Sequence, residues 1–368
     1  SSKTKIVNST QSGNLLVCSV ECAAVDTKVA HNQPELWPQS FWRLKLKEGS
    51  LDAPIRHAVQ WQDENFYSTD KLDEELRRVF DVCHGCRRCF NLCDSFPKLF
   101  DLIDESKSGE LDTVASADFE PVVDACTLCD MCYLTKCPYV PPHEFNIDFP
   151  HLMLRYRAVQ FRNGQTPFVN KELTKTDRNG KAFGKIASIV NWGSNVENSI
   201  PRKLLETTCN VHRDASLPKF HKQTFLEIDK NRAKSVNSKA PGYGRRAVIY
   251  ATCFVNYNNP SIGTSALDVL NTNGVETEVV YPSCCGMPQL EQGNIEDVAQ
   301  AAENVAKELR IWVDEGNDII ALTPSCALML KFEWPLILPE NEDVKVLSSA
   351  TYDIDEYIVD IAKKEGLV

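Results

Sequence analysis

The feature that most constrains this chain is a pair of cysteine quartets between positions 83 and 137. The first has the spacing C-x₂-C-x₂-C-x₃-C, and the second has the spacing C-x₂-C-x₂-C-x₄-C-P. Two residues between successive cysteines let one tight turn direct three thiolates toward three corners of a cube, which is typical of [4Fe–4S] ligation. Zinc sites normally use ligand pairs separated by a longer loop, so zinc is the weaker alternative.

The two quartets together predict two clusters. In two-cluster ferredoxins the fourth cysteine of such a run usually ligates the other cluster. One predicted ligand set is therefore Cys83, Cys86, Cys89 and Cys137, and the other is Cys126, Cys129, Cys132 and Cys93. Asp94 rather than proline follows Cys93, which removes no ligand. Crossed ligation would place the clusters close together, so we expect an electron-transfer protein.

Composition and pattern divide the chain into four predicted regions. Residues 1–66 contain three of the prolines and form an arm, in which FWRLKL (41–46) is a candidate short element. Residues 67–150 form a helical ferredoxin domain with two [4Fe–4S] clusters. Residues 151–245 form a connecting region with short helices, and residues 246–368 form an α/β domain.

Secondary structure is clearest in the last region. Helices are predicted at 68–82, around Leu99–Ile103 and at 151–162, and then strands at 247–252, 275–282 and 318–324 alternate with helices at about 261–273 and 295–316. The segment VKVLS (344–348) and a final helix at 351–365 follow. Strands that alternate with helices predict a parallel sheet. The fold class is therefore α+β multidomain, with a helical two-cluster ferredoxin domain followed by an α/β parallel-sheet domain.

Four further cysteines each follow a predicted strand. Cys253 follows the first strand, Cys284 and Cys285 the second, and Cys326 the third. The carboxyl ends of parallel strands form the ligand-binding edge of an open sheet, so these thiols can converge on one redox or cluster site. A following glycine, Gly286, suits close approach of the backbone to a cluster or substrate. The alternative is that they are buried cysteines that act as small hydrophobes.

The motif C-x₃₀-C-C-G-x₃₉-C after a two-cluster ferredoxin resembles the cysteine-rich (CCG) domain of heterodisulfide reductase. The same pairing is found in the iron–sulfur subunits of anaerobic glycerol-3-phosphate dehydrogenase and glycolate oxidase, and TPSCALMLKFEWP is most similar to the former. The resemblance implies a protein that carries electrons from a flavoprotein dehydrogenase subunit toward an acceptor such as quinone. The family motif ends in C-x-x-C, whereas Met329 stands at the last position here, and a thioether is a poor substitute for a bridging thiolate.

The remaining features narrow the function further. The formal net charge of −11 disfavours nucleic-acid binding. No apolar run reaches the length of a membrane span, so we expect a cytoplasmic protein attached at most peripherally to the inner face of the cytoplasmic membrane. The leftover Cys18, Cys22 and Cys209 are expected to be structural thiols, and no nucleotide or flavin motif is found.

Three functions therefore stay open. The first is an electron-transfer subunit in which the ferredoxin clusters deliver electrons to the CCG site, with or without a third iron–sulfur cluster there. The second is an enzyme resembling heterodisulfide reductase that reduces a disulfide or small molecule at the four CCG cysteines. The third is a redox-sensing or scaffold protein that uses these thiols without a cluster.

Overall fold

A computed structural model describes residues 49–50 and 52–368, and its first part is helical, as expected. The helices of this part are α1 (Thr69–Cys86), α2 (Ser95–Asp104), α3 (Glu120–Asp124) and α4 (Phe149–Arg162), with 3₁₀ turns at Glu64–Tyr67, Leu111–Thr113 and Ser116–Phe119. Helix α1 begins where the Ser68 hydroxyl accepts a hydrogen bond from the backbone N–H of Lys71. It runs four residues beyond the predicted end, so Cys83 and Cys86 lie in its last turn.

Short helices follow in the region predicted to connect the two parts. They are α5 (Phe168–Leu173), α6 (Thr176–Lys185), α7 (Ala187–Ser194), α8 (Ser199–Cys209) and α9 (Phe225–Lys230). Among the described residues, no helix is long and apolar enough to cross a bilayer.

The last part contains a parallel sheet of four strands in the order β2-β1-β3-β4. Its elements are β1 (Arg246–Tyr250), α10 (Pro260–Thr272), β2 (Glu276–Val280), α11 (Met287–Glu291), α12 (Ile295–Asp314), β3 (Asp318–Ala321), α13 (Pro324–Leu328), α14 (Trp334–Ile337), α15 (Glu342–Ala350), β4 (Thr351–Asp353) and α16 (Ile354–Lys364). Val248 of β1 pairs with Glu278 of β2 and Ile319 of β3. The parallel sheet and its first three strands are thus confirmed. VKVLS lies inside α15, and the fourth strand takes the first three residues predicted for the final helix.

Successive residues of β1 and β3 contribute to two different cores, as expected of a strand covered on both faces. Ile249 and Ile320 belong to a core with α10 and α16. Val248 and Ile319 belong to a larger core with α12 and α15. The larger core also contains apolar side chains of α1, α2 and α4, such as Phe80, so it continues from the sheet into the helical part without interruption.

The described part of the predicted N-terminal arm lies along both parts. The backbone N–H of Ile55 donates to the carbonyl of Pro141, and that of Val59 donates to the carbonyl of Leu336. The Trp61 indole donates to the carbonyl of Ile337 at 2.9 Å. All described residues belong to one compact unit. Cys18, Cys22 and the segment 41–46 lie outside the described residues.

Candidate functional site

One cavity in the helical part is lined by cysteines that are distant in sequence. The four are Cys83, Cys86, Cys89 and Cys137. Most of the remaining lining is apolar, with Val82, Phe96 and Phe100 among it. Arg87 ends α1 in the left-handed conformation, with φ of 51°, and so turns the chain toward Cys89. The cavity therefore brings together the four thiols that the sequence assigns to one cluster.

The second set lies on a loop with unusual backbone geometry. Leu128 and Asp130, on either side of Cys129, have φ of 50° and 59°, which is rare for residues other than glycine. Burial raises the pKa of the Cys126 thiol to about 11. A hydrogen bond that the sulfur accepts from the backbone N–H of Leu128 acts in the opposite direction and lowers this pKa. The neighbouring Cys93 and Cys129 raise this pKa further. Cys93 of the first run therefore lies beside the second set, as crossed ligation requires.

Cys132 lies where the two sets meet. Burial is the largest cause of the raised pKa of its thiol, and the nearby Cys126 and Cys89 raise this pKa further. A π-helical turn begins at Cys132 and covers Cys132–Lys136, and the backbone N–H of Cys137 donates to the Cys132 carbonyl at 2.9 Å. The Tyr139 backbone N–H in turn donates to the Cys137 thiol. Such N–H donors stabilise thiolates, and hydrogen bonds to cluster sulfurs influence reduction potential.

The four CCG cysteines meet at the carboxyl edge of the sheet. The Sγ atoms of Cys253 and Cys284 are 3.6 Å apart, and those of Cys285 and Cys326 are 3.3 Å apart. Three of them are buried, and Cys253 is partly exposed. In this set, the hydrogen bonds that Cys284 shares with Cys253 and Cys285 lower the pKa of Cys284. The same hydrogen bonds raise the pKa of Cys253 and Cys285, so Cys284 is the thiol of these three whose pKa is lowered.

Gly286 has a backbone conformation that favours glycine. Its φ of 85° places it in the left-handed region, where it starts α11 directly after the cysteine pair. A Cβ atom there would lie 3.4 Å from Val298 of α12. The Trp334 indole donates to the carbonyl of Cys285 at 3.1 Å, and the Tyr250 hydroxyl donates to that of Ser283 at 2.6 Å. These contacts fix the turn that carries Cys284 and Cys285.

Helix α6 contributes two residues to this site that the sequence did not indicate. A carboxylate oxygen of Asp177 accepts the backbone N–H of Cys284 at 3.0 Å, and the other accepts the Tyr281 hydroxyl. Burial raises the pKa of Asp177. The buried Thr176 hydroxyl lies beside the sulfurs of Cys253 and Cys284, where it adds to the fall in the pKa of Cys284 and only partly opposes the rise in the pKa of Cys253. Only the convergence of distant segments puts these residues at the site, so no local sequence signal marks them.

A buried ionic network joins the second cysteine loop to the CCG part. Arg56 donates to Asp130 at 2.9 Å, to Asp148 at 2.9 Å and to Glu333 at 2.9 Å. His151 lies 3.0 Å from the second oxygen of Glu333. Burial disfavours the charged imidazolium form of His151 and so lowers its pKa. The attraction and hydrogen bonds of the Asp148 and Glu333 carboxylates are together stronger, and they raise this pKa to about 9. Glu333 is the last residue of a π-helical turn, Met329–Glu333. The thioether of Met329, at the start of this turn, is fully buried in the larger core.

A second buried arginine makes a similar connection. Arg157 of α4 donates to the carbonyls of Val123 at 2.6 Å and Glu291 at 3.2 Å, and also to the carbonyl of Cys126. Gly293 packs on the backbone of Arg157 so closely that a Cβ atom would lie 2.3 Å away. The backbone that carries Cys126 is therefore attached to the turn after α11.

Within the described residues, no three His, Cys, Asp or Glu side chains converge closely enough to share one metal ion. A cubane cluster instead takes one thiolate at each iron corner. Cys209 lies at the end of α8, outside both quartets and the CCG site.

Comparison with known proteins supports the assignment of the CCG part. Residues 247–331 match the family model described as "Cysteine-rich domain", and all four CCG cysteines lie in this range. This confirms the resemblance that the cysteine pattern indicated. No solved structure matches the chain.

Several curated proteins are similar to part of the chain. A subunit of the anaerobic glycerol-3-phosphate dehydrogenase of Escherichia coli K12 is 29% identical over 180 residues, which cover 48% of this chain and 43% of that protein. Lactate utilization protein A of Bacillus pumilus is 29% identical over 120 residues, which cover 31% of this chain and 48% of that protein. A subunit of the fumarate reductase (CoM/CoB) of Methanothermobacter marburgensis is 27% identical over 186 residues, which cover 48% of this chain and 35% of that protein. The chain thus spans less than half the length of each of these relatives.

Proposed function

We propose that this chain is an iron–sulfur electron-transfer protein with two [4Fe–4S] clusters. The first would be held by Cys83, Cys86, Cys89 and Cys137, and the second by Cys126, Cys129, Cys132 and Cys93. The observation that carries the proposal is the single cavity in which Cys137 meets three cysteines from positions 83–89. Buried thiols with no shared role would not need to converge from two separate runs of the chain, whereas crossed ligation of a cluster requires this convergence.

The surrounding residues suit such a group. When bound, a [4Fe–4S] cluster accepts and donates electrons one at a time. Val82, Phe96 and Phe100 exclude water from the first cavity. Backbone N–H groups of Leu128 and Tyr139 donate to the thiols of Cys126 and Cys137, and thereby stabilise negative charge on sulfur.

We further propose that the electrons come from a flavoprotein dehydrogenase subunit and pass through the clusters to the CCG site and an acceptor such as quinone. The names of two relatives support this placement, because one belongs to a dehydrogenase and the other to a fumarate reductase. Reaching quinone would require attachment to the inner face of the cytoplasmic membrane.

The test is the content of iron and acid-labile sulfide per chain after anaerobic purification, with EPR of the dithionite-reduced protein. About eight irons with a spin-coupled pair of signals is the expected result. About twelve irons would place a third cluster at the CCG cysteines. Zinc in place of iron, with no signal on reduction, would overturn the proposal.

The close sulfur pairs favour a second candidate, reduction of a disulfide at the CCG site. Cys284 as thiolate would attack one substrate sulfur and release the other as a thiol. Cys253, 3.6 Å away, would then attack the mixed disulfide, release the second thiol and close a Cys253–Cys284 disulfide. Two electrons, delivered singly through the clusters, would restore the dithiol. Prereduced protein should therefore release one thiol more per chain from a small aromatic disulfide than a Cys253→Ser variant does.

A further inference from the structure

The helices between the two cysteine-bearing parts bury almost none of their side chains. In α5 and α7 no residue is buried, in α6 only Gly180 is buried, and in α8 only Arg202 is buried. Yet residues 168–204 contain nine of the 22 exposed large apolar side chains in the described part of the chain. This segment is about a tenth of the sequence, so exposed apolar groups are strongly concentrated there.

The most exposed of these side chains lie at helical spacing. Ile189 and Trp192 of α7, three residues apart, are 67% and 61% exposed. Ile200 and Leu204 of α8, four residues apart, are 83% and 62% exposed. Residues at these separations are neighbours on a helix surface. We call the exposed side chains of residues 168–204 the apolar–basic surface.

The protein holds α7 and α8 firmly although their apolar side chains face solvent. The guanidinium of Arg202 donates to the carbonyls of Arg213 at 2.8 Å, His212 at 2.7 Å, Ala215 at 2.6 Å and Ser194 at 3.3 Å. These bonds tie the end of α7 and the loop after α8 to one buried side chain. The surface is thus built on a fixed scaffold.

The opposite side of this segment packs against the CCG part. Gly180 lies so close to the ring of Tyr257 that a Cβ atom would be 2.4 Å from it. Within the connecting region itself, the amide of Asn191 exchanges hydrogen bonds with the backbone of Phe220 at 2.8 Å in both directions. The side of α6 and α7 that faces the protein is therefore already occupied, and the exposed apolar groups are available for an external contact.

The segment is basic in an acidic protein. Residues 168–204 contain seven lysines and arginines and three acidic residues, whereas the whole chain has a net charge of −11. Lys181, Lys185 and Lys203 are exposed among the apolar groups. Protein–protein interfaces are depleted in lysine. Helices that lie in a membrane interface instead combine Trp, Phe and Leu with Lys and Arg.

We propose that the apolar–basic surface binds an anionic lipid bilayer, with Ile189, Trp192 and Ile200 entering the interface and the lysines contacting lipid phosphates. The inference rests on the proposed function, to which it adds the part of the protein that meets the membrane. Burial of the apolar groups and attraction of the lysines would act together, so binding should need anionic lipid and weaken with salt.

Co-flotation of the purified protein with vesicles tests this. Wild-type protein should bind phosphatidylcholine vesicles that contain phosphatidylglycerol, and binding should fall about tenfold or more without phosphatidylglycerol or at high salt. An Ile189→Asp/Ile200→Asp variant should lose binding by about tenfold or more. Ile311→Asp is the matched control, because Ile311 of α12 is 62% exposed but lies outside this surface, and it should bind like wild type.

The possible outcomes separate the membrane surface from the proposed function. Equal binding by wild type and the double variant, or no binding by wild type with both clusters intact, would overturn the membrane surface and leave the electron-transfer proposal standing. Self-association that the double variant abolishes, without vesicle binding, would assign the surface to a protein contact and also overturn the inference. Protein that binds vesicles as expected but contains no iron would instead overturn the proposed function.

Discussion

The guanidinium of Arg56 lies 2.9 Å from the carboxylate of Glu333, 277 positions further along the chain. The same guanidinium bonds Asp130, inside the second cysteine loop, and Asp148, at the start of α4. One buried cation therefore connects the arm, the cluster loop and the CCG part. Because Asp130 and Glu333 are themselves buried and Asp148 is partly buried, removal of the guanidinium would leave uncompensated charge in the interior.

Arg56→Met should lower the free energy of unfolding by roughly 3–5 kcal/mol, because three carboxylates would lose their shared partner. Urea denaturation under anaerobic conditions measures the change. Arg213→Met is the control, since Arg213 pairs with Glu206 at the surface and should cause no measurable change. A loss no larger than that of the control would show that the buried network contributes little.

His151 should make the free energy of unfolding fall as the pH becomes alkaline. Its pKa is raised to about 9 in the folded protein, above the value of about 6.5 for an unperturbed histidine. The stabilisation is therefore complete below about pH 6.5 and is lost as pH rises through about 9, an effect on the order of 3 kcal/mol. His151→Gln should flatten this part of the stability profile, measured by denaturation between these pH values. His212→Gln, at an exposed position, should keep the wild-type slope, and equal slopes for both variants would contradict the expectation.

Cys137→Ala should lose about four irons per chain and leave the second cluster in place, because Cys137 closes the cavity of the first set. Iron and sulfide analysis with EPR gives the result. Cys209→Ala removes a thiol outside the proposed sites and should retain all iron. Full iron content in Cys137→Ala would refute crossed ligation.

Gly286→Ala should destabilise the protein by about 1–2 kcal/mol, because a residue with a Cβ atom is strained at φ of 85° and would press on Val298. Thermal unfolding of the reduced protein measures this. Gly193→Ala is the comparison, since a Cβ atom at Gly193 of α7 meets no neighbouring atom and alanine favours a helix. It should be neutral or slightly stabilising, and equal effects at the two glycines would refute the conformational argument.

The sequence predicts those parts that local pattern controls. Two-residue cysteine gaps and alternating strands and helices are local, so the quartets, the parallel sheet and the strand-end placement of Cys253 could be foreseen. VKVLS shows the limit: its apolar residues suit strand or helix, and packing of α15 on α12 decides between them. Asp177 and Arg56 could not be foreseen, because each acts through partners that are 74 or more positions away.

The continuous core also bears on how fast electrons could move. Apolar side chains of the helical part and of one face of the sheet pack as a single body, and Arg56 and Arg157 fasten the same boundary. The separation between the proposed clusters and the CCG sulfurs is then a fixed property of this packed core, in which none of the described residues forms a swinging carrier. Internal transfer should accordingly proceed at the same rate in viscous and in dilute solvent, and only encounter with an external donor or acceptor should slow as viscosity rises.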